Sequence, residues 1–237
     1  MMDGILLVDK PQAWTSNDVC QYIKKKFGFK KVGHAGTLDP NATGLLVVLL
    51  NKATKDADSF IQDDKDYEGV LSLGFKTNTG DVEGTVVEEK GIEGIAREDI
   101  LRLMEVFKGR ITQVPPMMSA LKKNGVRLYK LARAGKVIER EPREVTVHNF
   151  RIDEITLPFV HFFISVSKGF YVRSLAEDVG ERLGCGATLS SLRRVRSGEF
   201  SINAAVRIDA IRTMGSEEDL RCHVQLLGAH MSEHEER

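Results

Sequence analysis

A mixed α and β fold is what the chain predicts, and three observations carry the prediction. Residues 5–8, 45–50 and 159–166 are apolar runs of strand length, and residues 67–73 alternate in the strand period. Between them, 19–27, 98–108 and 172–183 place apolar side chains at helical spacing. With 237 residues and 42% hydrophobic content there is enough apolar material for a substantial core, and neither a repeat nor a low-complexity tract interrupts it.

In chain order, the strand at 5–8 ends at Asp9-Lys10-Pro11. Thr15-Ser16-Asn17-Asp18 offers N-cap oxygens to a helix with Val19, Tyr22, Ile23 and Phe27 on one face, stopped by Gly28. Residues 33–50 read as a flexible polar loop feeding a buried strand. Next come an amphipathic helix over 53–61, the strand at 67–73, a polar turn at 77–81, and a strand at 85–87 able to pair with the preceding one as a hairpin. The helix at 98–108 stops at Gly109, and Pro115-Pro116 break regular structure. Asn124-Gly125 is a hairpin signal, followed by a short helix over 128–134. Strands are expected at 145–150 and 159–166, the second apolar on both faces and central. A helix runs from Val172, a short helix is expected at 189–195, and a last strand at 200–202.

Three widely spaced cysteines, Cys20, Cys185 and Cys222, suggest neither a disulfide framework nor a zinc site. His223, His230 and His234 lack a compact ligand set, so no metal is expected. The N-terminus lacks the basic start of a signal peptide and no apolar run reaches a membrane span, so a cytoplasmic protein without a membrane partner is expected. Net charge is zero, 34 bases against 34 acids, but the charge is segregated. Residues 21–31 carry five lysines and no acid, and residues 114–144 carry eight bases and three acids. Segregated charge makes positive faces on a neutral protein, which suits a polyanion, and equally suits a solvated helix end. The segment 114–144 is short of large apolar groups and reads as a projecting insertion.

The stretch 33–50, GHAGTLDPNATGLLVVLL, concentrates the candidate chemistry. Pro40 pushes Asp39 into an extended conformation on a glycine-rich loop, either closing an Asx-type turn or presenting a carboxylate at a strand end. Tyr67 at a strand start fits core packing or a site. Arg173 lies in the first turn of a helix, against the dipole preference, and calls for a carboxylate or phosphate partner. Lys10, on a connecting loop, is a minor candidate for phosphate contact. Walker, dinucleotide, HExxH and GxSxG motifs are all absent.

These residues carry a resemblance. GHAGTLDPNATGLL resembles the signature loop of the TruB family of tRNA pseudouridine-55 synthases. GILLVDKPQAWTSNDV is similar to the family's opening, and KDYEGVLSLGFKTNTGDVEG to its tyrosine strand and TxTxD turn. SKGFYVRSLAEDVG and GATLSSLRRVRSGEF resemble its arginine and closing motifs, and PPMMSALKKNGVRLYKLARAGKVIEREPREV its arm. Coverage is nearly continuous from Gly4 to Arg212.

The resemblance implies an α+β pseudouridine synthase fold, a mixed and mostly antiparallel sheet with flanking helices around a central cleft, plus the arm. It implies a cofactor-free isomerisation of the T-loop uridine of tRNA at position 55. Asp39 matches the family's nucleophile, Arg173 the arginine that pairs with it, and Tyr67 the tyrosine that stacks on the base and is placed for proton removal. Tyr171 and Leu192 match residues lining the uracil pocket. His34 matches the residue that fills the space left by the flipped base, and Gly36 and Thr37 belong to the same substrate loop. Lys122, Lys123, Arg127 and Lys130 of the arm, with Lys24 to Lys31 nearby, would hold the T-arm backbone.

The chain departs from the family at Ala13, where members often carry glycine, at Met118, where they often carry tyrosine, and in leaving too few residues after Arg212 for the PUA domain that many members carry. The expected organisation is a catalytic domain over 1–212, with the arm at 114–144, and a short acidic tail over 213–237. Nothing demands an oligomer, and a monomer is expected. The competing readings are a non-catalytic RNA-binding or tRNA-folding protein that keeps the fold, and an Asp-based nucleoside hydrolase.

Overall fold

The computed structural model describes residues 2–123 and 125–225. It forms two compact units, one built from the residues up to 65 and from 193 onward, the other from residues 66–192. In the first lie β1 (Gly4–Lys10), α1 (Ser16–Phe27), β2 (Val32–Ala35), β3 (Thr43–Leu50), a 3₁₀ turn at Asn51–Lys55 and α2 (Ala57–Ile61). The second holds β4 (Lys65–Leu73), β5 (Phe75–Thr77), β6 (Val86–Glu89), α3 (Arg97–Val106) and β7 (Gly109–Gln113). It continues through β8 (Lys122–Lys123), β9 (Val126–Arg127), α4 (Leu128–Arg133), β10 (Arg143–Thr156), β11 (Phe159–Val166) and α5 (Val172–Leu183). The chain returns to the first unit within β12 (Ala187–Ser197). It then forms β13 (Phe200–Ser201), β14 (Val206–Arg207), α6 (Ile208–Thr213), α7 (Glu217–Arg221) and β15 (Val224–Gln225).

The first unit is organised on β3. Its whole length pairs antiparallel with β1 on one edge. The other edge is shared, with β2 antiparallel to Val47–Leu50 and β12 parallel to Thr43 and Gly44. Leu46, Val48 and Leu50 face a cluster with Val19 and Ile23 of α1, while Leu45, Val47 and Leu49 face Ile5, Leu7 and Phe200. An apolar run without alternation is what a strand covered on both faces requires. Each such side chain removed from water contributes about 1.5–3 kcal/mol. The helix α1 starts at a reciprocal cap: Asp18 N donates to Thr15 Oγ1 (3.0 Å), and Thr15 N donates to the Asp18 carboxylate (2.8 Å). It ends at Gly28, with φ 72°.

In the second unit the strand order is β12-β4-β11-β10-β7. Val147, Phe150, Phe162 and Ile164 are buried, and Phe150 meets Phe162 edge-on at 5.7 Å. The first unit mixes parallel and antiparallel pairs, β10 pairs antiparallel with β11 and β7 in the second, and helices flank the strands, the expected α+β arrangement.

Several expectations fail, each for a tertiary reason. Residues 189–195 form part of β12 rather than a helix. Leu189, Leu192 and Val195 fit a helical period, but strand pairing on β3 and β4 decides the outcome. The strand at 86–89 pairs with β5, not with the tyrosine strand. Residues 53–61 break at Asp56 into a 3₁₀ turn and α2, which buries no residue. β11 lies between β4 and β10 as expected, yet its burial alternates, with Phe159 and His161 exposed. The short strands β2, β5, β7, β14 and β15 were not foreseen. Within the acidic segment after Arg212, α7 buries Leu220 completely and β15 pairs with β1. His223 follows α7, whereas His230 and His234 lie outside the described residues.

Candidate active site

The loop carrying Asp39 runs from the end of β2 to the start of β3 and is tied down along its length. Leu38 is held at both backbone groups by one hydroxyl: its N–H donates to Ser16 Oγ (2.9 Å) and Ser16 Oγ donates to its carbonyl (3.1 Å). The Asp39 carbonyl accepts from Ala42 N at 3.1 Å, closing a tight turn, and the Pro40 carbonyl accepts from Ala13 N at 3.0 Å. The chain thus turns at Asp39 through a backbone bond. Its side chain, half-buried, stands on a backbone that cannot drift.

Lys10 is corrected by the same geometry. Expected as a phosphate contact, it is fully buried, and its ammonium donates to the carbonyls of Pro11 (2.9 Å), Trp14 (2.6 Å) and Pro40 (3.1 Å). It pins the first loop to the Asp39 loop. Ala13, between these anchors, has φ 65°, the left-handed region that glycine occupies without strain.

Behind the loop lies a second cation. Arg194 is 1% exposed, donating from Nε to the Leu45 carbonyl (2.8 Å) and from Nη2 to the Gly36 carbonyl (3.1 Å). Lys65 is nearby, its ammonium bound to the carbonyls of Ile61 and Asp63. Burial, reinforced by the Arg194 charge, pushes the Lys65 pKa down to about 8. Arg193 forms a two-bond pair with Asp9 (3.0 and 2.8 Å). Gly36 is half-buried, Thr37 exposed, and His34, half-buried on β2, is in register with Val48.

In the second unit, Tyr67 is 8% exposed on β4. Arg173, 5% exposed in the first turn of α5, has the carboxylate its position calls for: Asp81 of the TNTGD turn, Nε to Oδ2 3.7 Å. It also donates to the carbonyls of Thr79 (3.1 Å) and Met118 (2.7 Å). Asp81 is itself held through Oδ1, which accepts from Thr79 Oγ1 (2.6 Å) and Glu83 N (3.1 Å). Because Met118 contributes its carbonyl, this contact does not depend on the departing side chain there. Tyr171, half-buried, is fixed by Gln113, whose amide accepts from Tyr171 N (3.0 Å) and donates to its carbonyl (3.3 Å). Leu192 is half-buried on a strand, not on the expected helix. In the arm, β8 and β9 form the predicted hairpin and α4 follows. Lys122, Lys123, Arg127 and Lys130 are all exposed, with Lys123 Nζ donating to the Glu139 carbonyl (2.7 Å).

Asp39, His34, Gly36, Thr37 and Lys10 thus belong to the first unit, and Tyr67, Arg173, Tyr171, Leu192 and the arm to the second. Ser16, Arg194, Asp81 and Gln113 were missed as site-building residues. Asp81 was legible in the TNTGD turn. Arg194 would have stood out only with β12 read as a strand. Among the described residues, no cluster of His, Cys, Asp and Glu could hold a metal ion, and no helix is long and apolar enough to cross a membrane.

Comparison with known proteins supplies the family. Residues 24–172 match the N-terminal domain of the TruB family of pseudouridylate synthases. The chain belongs to the TruB family. It is therefore a pseudouridine synthase, an isomerase. Residues 173–231 match the tRNA pseudouridylate synthase B C-terminal domain, so the structured segment after Arg212 lies within a family domain. The chain is 46% identical over 208 residues to the tRNA pseudouridine synthase B of Geotalea uraniireducens, covering 88% of this chain and 67% of that one. With the Opitutus terrae protein of the same name it shares 44% over 213 residues, covering 90% and 88%. Among solved structures, a Cbf5-Nop10-Gar1 complex matches with a TM-score of 0.72 and 32% identity, over 94% of this chain and 60% of that chain. An H/ACA RNP bound to a substrate RNA containing 2'-deoxyuridine matches with 0.68 and 29%, over 94% and 59%. The TruB chain described here thus spans about three-fifths of the length of those solved chains.

Proposed function

We propose that this TruB protein converts uridine 55 in the T-loop of tRNA to pseudouridine, with Asp39 as the nucleophile toward a base flipped out of the loop. The observation that carries the reading is the Asp39 loop. Asp39 is a half-buried residue, while Lys10, Ser16 and Ala13 hold the loop backbone on both sides of it. A nucleophile needs that combination of access and fixed position. Relatives with 44–46% identity are named tRNA pseudouridine synthase B, which supports tRNA as substrate.

The remaining roles rest on the family motifs. Tyr67 would stack on the uracil and serve the final proton removal, Tyr171 and Leu192 would line its pocket, and His34 would fill the gap left in the loop. Extrusion of the uridine costs a few kcal/mol of unstacking. Arg173, fixed by Asp81, is the cation assigned to the same chemistry. The exposed bases of the arm would hold T-arm phosphates.

The test is a modification map. Purified protein is incubated with unmodified tRNA transcript, and pseudouridine is located by carbodiimide treatment and primer extension. A single new stop at position 55 is expected. A transcript that binds but stays unmodified would overturn the enzymatic reading in favour of a folding or binding protein, and release of free uracil would indicate a hydrolase.

A further inference from the structure

The lysines near the C-terminal end of α1 are not explained by the catalytic loop. From Val19 to Leu38 the chain carries no acidic residue and five lysines: Lys24, Lys25, Lys26, Lys30 and Lys31. Lys26 is used internally, donating to the Arg212 carbonyl at 3.0 Å. The side chains of Lys24, Lys25, Lys30 and Lys31 have no ion pair among the described residues, in a protein with as many acids as bases. Lys25, Lys30 and Lys31 are exposed and Lys24 half-buried.

Helix-dipole stabilisation accounts for lysines in the last turn of α1, at about 0.3–1 kcal/mol each. It does not account for Lys30 and Lys31, which lie beyond the cap at Gly28. Nor is that segment loose. Lys31 N donates to Asn51 Oδ1 (3.1 Å), Asn51 N donates to the Lys31 carbonyl (2.8 Å), and Phe29 between the lysines is 3% exposed. Uncompensated like charges held on a fixed backbone repel one another, and a polyanion relieves that repulsion.

Position defines what the polyanion is. Ser16, the first residue of α1, binds Leu38 beside Asp39, and α1 is 12 residues long. At 1.5 Å per residue Lys24 and Lys25 lie about 12–14 Å along the axis from Ser16, and the helix end before Lys30 and Lys31 about 17 Å. A single flipped nucleotide does not cover that distance, whereas an RNA helix continuing from it does. We infer that Lys24, Lys25, Lys30 and Lys31 form a second phosphate-binding surface of the first unit, which contacts helical RNA backbone on the order of 12–17 Å from the flipped uridine. This rests on the RNA substrate proposed above and sharpens the expectation that these lysines, with the arm, hold the T-arm backbone.

The test compares the parent with a Lys24→Gln/Lys25→Gln/Lys30→Gln/Lys31→Gln variant and with the corresponding quadruple Lys→Arg variant. Binding to tRNA transcript is measured across a salt series. Four lost phosphate contacts should reduce the log–log salt slope by roughly 3, and the arginine variant should keep the parental slope. A minimal T-loop hairpin with a two-base-pair stem is too short to reach the patch, and parent and glutamine variant should bind it with equal slopes. An unchanged slope on the transcript would overturn the contact, and an equal loss on the minimal hairpin would overturn its remote position. Failure of the parent to form pseudouridine would strike the proposed reaction alone, since the salt slope is read from binding.

Discussion

At the scale of single residues, the site is built by groups whose chemistry is spent on backbone atoms. Lys10, Ser16 and Arg194 each bind carbonyl or amide groups of the loop between β2 and β3 or of β3 itself. The turn at Asp39 is closed by its backbone carbonyl, which accepts from Ala42 N, and that bond does not use the carboxylate. Asp39→Asn should therefore abolish pseudouridine formation in the primer-extension assay while leaving tRNA affinity within about tenfold, some 1.4 kcal/mol. Ala13 and Gly44 give opposite outcomes at positive φ. Ala13→Gly relieves left-handed strain and loosens the unfolded chain, for a net gain of roughly 0.5 kcal/mol. Gly44 has φ 98°, and a Cβ there would stand 2.3 Å from the Arg194 carbonyl oxygen. Gly44→Ala should cost about 3 kcal/mol or more in urea unfolding.

Lys65 provides the pH signature. Its folded pKa, about 8, lies below the ordinary value of 10.5. Between those values the unfolded chain holds a proton that the folded chain lacks, so stability rises with pH across that window. Below pH 8 the burial of the charge is a full penalty, up to roughly 3 kcal/mol. Urea midpoints of the parent should rise from pH 8 to pH 10 relative to those of Lys65→Met, and parallel curves would contradict the shifted pKa.

At the scale of elements, β12 joins the two strands that matter most. It completes the edge of β3 in the first unit and flanks β4, which carries Tyr67, in the second. The arm is an element of a different kind, a short hairpin and one helix with exposed bases. Neutralising Lys122, Lys123 and Arg127 together should weaken tRNA binding and reduce the salt slope by roughly 2–3. An unchanged slope would take the arm out of the interface. The segment 189–195 was read wrongly because its sequence is ambiguous locally. Residues 189–195 satisfy a helical spacing and a strand equally well, and only neighbouring strands in need of a partner choose between them.

At the scale of the whole molecule, the segment after Arg212 changes meaning. Its acidic composition suggested a solvated tail, yet Leu220 is fully buried in the cluster with Val19, Ile23 and Leu46, and Val224 and Gln225 pair with β1. Leu220→Ala should cost about 2–5 kcal/mol in the same unfolding experiment, the loss of a core leucine, where a tail leucine would cost almost nothing.

The sequence by itself determined the chemistry of the loop, the capped first helix, the buried strand at 45–50 and the ordered motifs of the TruB family. Those features are local: glycine, proline, a capping box and an unbroken apolar run restrict the backbone within a few residues. Tertiary structure alone decided that Lys10 points inward to three carbonyls, that Arg173 is met by Asp81, that Gln113 holds Tyr171, and that 187–197 is a strand. Each of those outcomes depends on a partner tens of residues away or on which face of a residue becomes buried, and a buried polar group takes the partner that the packing brings to it.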